Sequence, residues 1–461
     1  MNKKTKAHQN ILKDAESILQ LHSRCEELKK RLADFQADFE KKKRNYLTPS
    51  EDEKLRQIFI SYWQIRSALF DIIFSAKANL GPLFFWKNQK YTVFMVAYAA
   101  TVTLVDFARF LYETCDATRV IRKKIDEPDK EFCIPANSYD RIQESLISPT
   151  HLWQINEANL FYKKSKDQLE TLSKKDKVLS ELLKLIQALQ GSADINKEGY
   201  IKNTLMIRLR SIGHFFTKSA IQRAIYSAQE SVSKGVGHVK TKKDHMPHLP
   251  KKIRKHLKAM LQPGDILVTR KDFQLTNYFL PGYWPHAALY MGDFELLKKM
   301  KIHQHPHVKS KWNLLKKTGD SAFVLESLKD GVNVRPTTTP FTCDAMTIIR
   351  PKIAFEDITK AIHRGLKHEG KPYDFDFDFK QSERLVCTAV VYRSYEGMAG
   401  VAFELKERAG RMTLSAEDLL KMAMERKHFE PVATYCPYKN KKIVTGFDVD
   451  KILQETIGKK V

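Results

Sequence analysis

The stretch Leu280-Pro-Gly-Tyr-Trp-Pro-His-Ala-Ala-Leu-Tyr-Met-Gly292 decides how the C-terminal part of this 461-residue chain folds. A Pro-Gly pair marks a turn, and the apolar run after it has the length of one β-strand. His286 stands where the turn ends and the apolar run begins. We therefore expect its imidazole at a strand edge, facing a cleft. A lone histidine in such a place is more often a structural group. His286 is therefore a candidate catalytic residue only if the sequence also offers a nucleophile and a polar group to orient the imidazole.

Short β-branched runs separated by turns surround this stretch, beginning with the turn and strand of PGDILVTR (residues 263–270). Helical periodicity appears after them. This mixture of strands and helices indicates an α+β domain. The predicted strands are 266–269, 287–291, 322–325 and 347–350, and the predicted helices are 358–368 and 383–395.

The first half of the chain is predicted to be an all-helical region, because apolar residues recur there at intervals of three and four. A basic stretch rich in His and Pro, residues 234–258, follows and is predicted to be a linker. The predicted organisation is thus a helical region (1–233), a linker (234–258) and a C-terminal domain (259–461). The predicted helices of the first half are 8–44, one from Thr48 to about Asn79 that Gly81-Pro82 interrupts, 84–125, 152–190 and 197–233.

Cys387 is the candidate nucleophile of the C-terminal domain. A thiol enzyme needs a cysteine whose thiolate is favoured, a histidine to accept its proton and a polar group to orient that histidine. Ser382 is predicted to cap the helix that carries Cys387, leaving the thiol in its first turns near the positive end of the helix dipole. A lone cysteine is more often an inert core residue, so Cys387 is a candidate nucleophile only together with the surrounding motifs.

These blocks together resemble the permuted papain-like amidases of the YiiX/YaeF type, a branch of the NlpC superfamily. In that branch the "GDI(L/V)" and "HaalY(M/V)G" blocks precede the cysteine helix, whereas in papain the cysteine comes first. The resemblance covers residues 263–437 and implies a circularly permuted papain-like domain with an antiparallel sheet packed on helices. It also implies that Glu326, in AFVLESLKDGV, orients His286, although an insertion (293–320) between the two strands departs from the compact family pattern.

Three tyrosines are candidates for binding substrate or an oxyanion: Tyr373, Tyr392 and Tyr395. Tyr373 lies in GKPYDFDFDF (residues 370–379), which resembles the Gly-x-Pro-Tyr-Asp block of the family. Alternation of Asp and Phe in that block predicts a half-buried strand. Tyr392 and Tyr395 follow the cysteine by five and eight positions, and core packing is the competing role for at least one of them.

No metal and no cofactor is expected. His303, His305 and His307 would share one face of a strand and could hold a transition metal, but they lie in a Lys-rich segment without acidic or thiol neighbours. The resemblance implies an enzyme that needs no metal, a cysteine hydrolase or acyltransferase that acts on an amide or ester bond through a thioester. Substrates of the relatives include cell-wall peptides, fatty-acyl amides and lipids.

The chain is strongly basic, with 79 Lys and Arg against 54 Asp and Glu, a net charge of +25. Residues 1–257 carry 46 of these basic and 29 of these acidic side chains, so most of the excess lies outside the C-terminal domain. Such a field attracts anionic partners. We expect an anionic membrane surface, which would bring a lipid or acyl-amide substrate to the cleft, and solvation of helix faces is the competing explanation. No recognition motif supports nucleic acid as a partner.

Six scattered cysteines without a CxxC pair predict a reducing compartment. The N-terminus has no secretory signal pattern, so we expect a cytoplasmic protein that is peripheral on a membrane if the charge docks it there. Residues 91–105 form an uncharged run shorter than the roughly 20 residues of a membrane span; we interpret it as a core helix, with a membrane-dipping hairpin as the alternative. A basic membrane- or partner-binding scaffold with an inactive papain-like domain remains the alternative function.

Overall fold

A computed structural model divides into two units, one of Ala7–Lys240 and one of Thr241–Val461 together with Met1–Lys6. The boundary between them falls inside the stretch predicted to be a linker. The residues that the structure describes are 3–83, 89–129, 132, 134, 136–147, 149–193, 245, 247–272, 282–317, 322–408 and 410–459. The predicted helix 197–233 and residues 234–244 of the predicted linker lie outside them.

The described part of the first unit is helical, as its periodicity predicted. The second helix continues past the predicted interruption at Gly81-Pro82 and ends at Leu83, and the predicted helix 84–125 is two helices. The elements are α1 (Lys3–Lys41), α2 (Pro49–Leu83), α3 (Gln89–Asp116), α4 (Arg119–Ile125), α5 (Ser138–Ile147), α6 (Pro149–Lys164), α7 (Lys166–Ser173) and α8 (Lys177–Ala193).

Helix α3 lies in the middle of this unit and packs against α2, α5, α7 and α8. It contains the uncharged run 91–105, and Lys90–Asp116 is long and apolar enough to cross a membrane by length and composition. However, 67% of its most apolar window is buried inside the protein. Side chains such as Val96, Ala99 and Val102 are fully or almost fully buried. Length and composition alone do not distinguish a core helix from a membrane span. The burial of these side chains is typical of a core helix.

The C-terminal unit is built on a seven-stranded sheet in which neighbouring strands are antiparallel. All four predicted strands are present, each longer than predicted, and the α+β fold is confirmed. The order across the sheet is β4-β3-β2-β1-β5-β8-β9. The strands are β1 (Ile266–Arg270), β2 (His286–Asp293), β3 (Ala322–Leu328), β4 (Gly331–Pro336) and β5 (Ala345–Pro351), then the hairpin β6 (Lys406–Arg408) and β7 (Arg411–Thr413), and finally β8 (Phe429–Cys436) and β9 (Asn440–Thr445).

Helices cover both faces of this sheet. In chain order they are α9 (Lys251–Met260), α10 (Phe294–Lys299), α11 (Pro306–Lys309), α12 (Trp312–Lys317), α13 (Phe355–Leu366), α14 (Cys387–Tyr395), α15 (Ala416–Met424) and α16 (Asp448–Thr456). Ile266 and Val268 pack into one core with α13 to α16, whereas Leu267 packs into a second core that includes Leu257 of α9. Because both faces are buried, the central strands are apolar at successive positions and not only at alternate ones.

Helix α9 corrects the predicted linker. Lys251 to Lys258 belong to a helix whose Leu257 is fully buried, so this stretch is part of the C-terminal unit. The helix buries few large apolar residues. Leu257 is fully buried, and Ile253 and Met260 are partly buried beside it. Such a narrow apolar stripe is a weak periodic signal in a sequence.

The Gly-Asp pair before β1 fixes the start of the sheet. Gly264 has a φ of +89°, and a Cβ there would approach the side chain of Ile358 to 2.6 Å, so the position requires glycine. The fully buried Asp265 carboxylate accepts hydrogen bonds from Arg350 at 2.7 and 2.8 Å and from the Gln262 amide at 2.8 Å. This block thereby joins β1 to β5.

Two predictions of strand structure are wrong. His303, His305 and His307 lie in a 3-10 turn and the short α11, so they do not share a strand face. The alternating block 370–379 forms turns. Asp and Phe alternate here without forming a strand. The buried Asp374 carboxylate accepts hydrogen bonds from the backbone amides of Asp376 and Asp378 at 3.0 and 2.8 Å. Side-chain acceptors of this kind favour turns over strand pairing.

Candidate active site

His286 is the first residue of β2 and lies beside Thr269 of β1. Its position depends on the turn before it, Gly282 to Pro285. The Glu417 carboxylate of α15 accepts hydrogen bonds from the backbone amides of Tyr283 and Trp284, at 2.5 and 3.4 Å. These bonds fix the turn from which the imidazole emerges.

The Trp284 side chain anchors the same turn in the core. It is fully buried, and its indole Nε1 donates to Thr456 Oγ1 of α16 at 3.0 Å. The amide of Gly458, just beyond α16, donates to the second oxygen of Glu417 at 2.9 Å. The C-terminal helix therefore helps to hold the residue that precedes the imidazole by two positions.

Glu326 of β3 contacts His286 directly. In the antiparallel register Leu289 pairs with Leu325, which makes Glu326 a diagonal neighbour of His286, within reach of a long side chain. Oε2 of the carboxylate lies 2.8 Å from Nε2 of the imidazole. Glu326 is only 1% exposed, so this carboxylate is a buried group and not a surface acid.

Cys387 is the first residue of α14, and its thiol is hydrogen-bonded to the His286 side chain. Because Nε2 of the imidazole is bound to Glu326, Nδ1 is the nitrogen left for the sulfur. Backbone amides of Ala287 and Thr388 also donate to the sulfur. The structure thus brings together the three residues predicted as a catalytic set.

The prediction that Ser382 caps this helix is wrong, since the N-cap is Val386. A tertiary contact sets the start of the helix instead. Ser327 Oγ, one residue after Glu326, donates to the Leu385 carbonyl at 2.6 Å. The Leu385 amide in turn donates to the Pro372 carbonyl at 3.0 Å. The extended segment before the thiol is therefore tied to the strand that carries Glu326.

The electrostatics of the three side chains favour a thiolate and an imidazolium. Burial on its own lowers the pKa of His286, but the neighbouring Cys387 and Glu326 outweigh it and raise this pKa to about 9. Burial raises the pKa of Cys387, yet the imidazole and the two backbone amides hold it below the ordinary thiol value. Burial likewise opposes ionisation of Glu326, whose pKa is lowered by His286, Arg335 and Lys271.

Of the three candidate tyrosines, only Tyr373 is placed at this site. It is partly exposed, and burial and the nearby Cys387 raise the pKa of its hydroxyl. Phe375 and Phe377 pack against its ring, with centroids 4.9 and 6.0 Å away. The three rings form an aromatic cluster, of which Tyr373 is the member near the thiol.

The other two tyrosines belong to the core. The Tyr392 ring packs between Phe379 and Phe403, with centroid distances of 5.5 and 5.8 Å. Tyr395 is fully buried, and its hydroxyl donates to the Gly264 carbonyl at 2.7 Å. Neither is placed to bind an oxyanion, so the role assigned to them from their spacing is corrected.

A possible metal-ligand group, separate from the predicted triple histidine, occurs in the described part of the chain. His245, Asp272 and Asp344 place ligand atoms within 4.8 Å of one another. Both oxygens of Asp344 are already bound, Oδ1 to His245 Nε2 at 2.9 Å and Oδ2 to the Asp272 amide at 2.7 Å. The arrangement is thus accounted for as a hydrogen-bonded cluster.

Four residues that support the site were not identified from the sequence: Ser327, Arg335, Lys271 and Glu417. Arg335 had the clearest signal, since it is a charged residue within the apolar run GVNVRP (residues 331–336). Glu417 had none, because its partners in the turn before His286 lie more than a hundred positions away in the chain. Ser327 is an ordinary strand-end serine by sequence alone.

Comparison with known proteins gives one match. Residues 260–444 match the family described as permuted papain-like amidase enzyme, YaeF/YiiX, C92 family. The resemblance stated from the sequence is thereby confirmed for the C-terminal domain. Comparisons with curated proteins and with solved structures find no match.

Replacing Gly282 by alanine tests whether the turn positions the imidazole. A Cβ there would lie 2.0 to 2.2 Å from the Glu417 carboxylate, at a φ of +84°, so the carboxylate must move and release the turn. We expect alkylation of Cys387 by iodoacetamide at neutral pH to slow by about tenfold, the effect of roughly one unit in a pKa. Gly397→Ala is the matched control, because Gly397 also has a positive φ (+74°) but no atom within 4 Å of the added carbon. Equal slowing in both variants would contradict the role of the turn.

Proposed function

Since the C-terminal domain is a permuted papain-like domain of the YaeF/YiiX amidase family, we propose that this chain is a cysteine hydrolase with Cys387 as its nucleophile. The observation that carries the proposal is the hydrogen-bonded series Cys387, His286 and Glu326 at the start of α14. A buried cysteine without such partners would have a raised pKa, as Cys343 does. Cys387 departs from that behaviour because an imidazole and two amides favour its thiolate.

The proposed reaction begins with attack of the Cys387 thiolate on the carbonyl carbon of an amide. The resulting oxyanion is stabilised by backbone amides at the first turn of α14, which have no acceptor within the helix. Collapse of the tetrahedral intermediate breaks the C–N bond. The leaving amine takes the proton of the His286 imidazolium, and a thioester remains on the sulfur.

In the second half of the cycle His286 acts as the base. It removes a proton from water, which attacks the thioester carbon and releases the acyl group as a carboxylic acid. The thiolate and the imidazolium are thereby restored. A second nucleophile in place of water would make the same cycle an acyl transfer, and an ester would react by the same steps with an alcohol as leaving group.

Glu326 orients the imidazole and stabilises its charged form in this scheme. Its carboxylate holds Nε2, so Nδ1 remains directed at the sulfur through the cycle. The partly exposed rings of Tyr373 and Phe377 would form an aromatic wall that contacts the acyl side of the substrate. Apolar acyl groups fit such a wall better than charged ones, which supports a lipid or acyl-amide substrate.

Substitution of the nucleophile is the direct test. At pH 6 an iodoacetamide probe should label the wild-type protein, because a thiol of ordinary pKa is almost entirely protonated there and one of lowered pKa reacts faster. Cys387→Ala should abolish this labelling and any hydrolysis of amide substrates. Cys343→Ala is the control, since burial raises the pKa of that fully buried thiol and its loss should leave labelling unchanged. Labelling that is absent from the wild type, or that survives in Cys387→Ala, would favour a scaffold with an inactive domain.

The pH dependence tests the role of Glu326. In Glu326→Gln the imidazole keeps a hydrogen-bond acceptor but loses the negative charge, so the pKa of His286 should fall from about 9 and that of Cys387 should rise. The pH range in which thiolate and imidazolium coexist then narrows from both sides. We expect the alkylation rate at pH 6 to fall about tenfold, the effect of one pKa unit, and to approach the wild-type rate above pH 9. An unchanged pH–rate profile would show that the carboxylate does not tune the pair.

A second proposed property is binding to an anionic membrane surface, supported by α9. Its ten residues carry five Lys and Arg side chains and no acidic one. Two lysines stand in its first turn, where the helix dipole disfavours cations. Its apolar side faces the core, so the exposed side is cationic along its length. Such a surface binds anionic lipids electrostatically.

Vesicle co-sedimentation tests this property. Replacing Lys251, Lys252 and Lys255 by glutamine should weaken binding to phosphatidylserine-containing vesicles by at least about tenfold. The control changes the net charge equally by replacing Lys298, Lys360 and Lys451, which form ion pairs with neighbours in their own helices. Equal loss in both variants would indicate a general charge effect, and binding to RNA in preference to vesicles would contradict the membrane proposal.

A further inference from the structure

A row of ionisable side chains crosses three neighbouring strands next to the thiol's partner His286, and two of its members are buried. Glu326 of β3 lies between His286 of β2 and Arg335 of β4. Arg335 pairs across the sheet with Val324, so it is the diagonal neighbour of Glu326 on the side away from His286. Its Nε lies 3.7 Å from Oε1 of Glu326, while Oε2 of the same carboxylate contacts the imidazole. The two carboxylate oxygens are thus divided between the imidazole and the guanidinium.

Burying charged side chains costs free energy of folding unless each charge has a partner. Arg335 is 4% exposed and Glu326 is 1% exposed. In the described structure Oε1 of Glu326 accepts no hydrogen bond, and the ion pair with Arg335 is what compensates that oxygen. Removing one partner of a buried ion pair leaves an unpaired charge in a medium of low dielectric constant. Such a carboxylate tends to take up a proton.

Arg335 is held in place from the hairpin between β3 and β4. Its Nη2 donates to the Asp330 carboxylate at 2.5 Å and to the Gly331 carbonyl at 3.3 Å. These contacts fix the far side of the guanidinium, and Nε, which makes no hydrogen bond in the described structure, remains at ion-pair distance from Glu326. Asp330 also competes with Glu326 for the same positive charge.

We propose that Arg335 is a positioning residue of the catalytic site: its buried guanidinium keeps Glu326 ionised and directed at His286, and so sustains the reactive thiolate. This inference rests on the proposed function, because it assigns a fourth member to the same set. Arg335 acts through Glu326 and has no contact with the sulfur among those that the described structure shows. Its effect is therefore on the charge state of the nucleophile and not on substrate contacts.

The charges around Glu326 support this assignment. His286 faces it from β2, Arg335 from β4, and Lys271, just after β1, acts on it through space. The thiol of Cys387 faces the imidazole from α14, with the Tyr373 hydroxyl nearby. When the site is charged, the cations of His286, Arg335 and Lys271 face the anions of Glu326 and Cys387, and Asp330 is a further anion beside Arg335. Loss of the Arg335 cation therefore disfavours the thiolate both directly and through protonation of Glu326, and the two effects have the same sign.

The test is the pH dependence of Cys387 alkylation by iodoacetamide in the full-length protein. Arg335→Met keeps much of the side-chain volume and removes the charge, so the acid limb of the profile should move to higher pH by about one unit, a tenfold slower reaction at pH 6. Arg335→Lys retains the charge and should recover most of the wild-type rate. Folding of each variant is checked by near-ultraviolet circular dichroism before the rates are compared.

Asp330→Asn provides a test that does not depend on the stability of the Arg335 variants. It removes the competing negative charge but keeps a side-chain oxygen that can accept from Nη2 and hold the guanidinium in place, so the acid limb should move to lower pH, opposite to Arg335→Met. A folded Arg335→Met with the wild-type profile, or an Asp330→Asn limb that stays in place or moves to higher pH, would overturn the role of Arg335. A wild-type profile with no acid limb below pH 8 would instead refute the thiolate pair itself, and the two failures are thus distinguishable.

Discussion

The hydrogen bond between the Glu326 carboxylate and the His286 imidazole is the interaction on which the site depends. Both side chains are largely removed from water, and desolvation alone would favour their neutral forms. The neighbouring Cys387 and the 2.8 Å bond to Glu326 together reverse that preference for the imidazole, and the bond leaves its other nitrogen for the sulfur. It also requires β2 and β3 to be adjacent in an antiparallel register, so the order of strands in the sheet is tied to the chemistry.

The pairing of β2 with β3 explains why the sequence motifs that carry the site residues can occur in a different order along the chain without loss of the site. The imidazole and the carboxylate are placed by strand pairing, and the sulfur by the start of α14. What joins them is the hydrogen bond from Ser327 to the Leu385 carbonyl, a contact between a strand end and the segment before the helix. Because that contact is tertiary, the cysteine helix needs only to reach the end of β3, and its place in the sequence does not matter.

The sequence was a good guide wherever local pattern and tertiary environment agree. Apolar runs identified the central strands, and the turn before His286 indicated its exposure at a strand edge. Sequence patterns failed where a residue distant in the chain determines the local structure. Ser382 is a good capping residue, but Ser327 donates to the Leu385 carbonyl and the helix begins only at Cys387. Asp374 likewise turns a strand-like alternation into turns by accepting backbone hydrogen bonds.

The elements that hold the site extend beyond the region that matches the family, residues 260–444. Helix α16 follows that region, yet Thr456 binds the Trp284 indole and the Gly458 amide binds Glu417. Helix α9 precedes it and buries Leu257 against the opposite face of the sheet. Removing either helix would expose apolar surface, and loss of α16 would also free the turn that presents His286. The turn that presents the imidazole is therefore held in part by residues that lie beyond the matched region and outside the recognisable motifs.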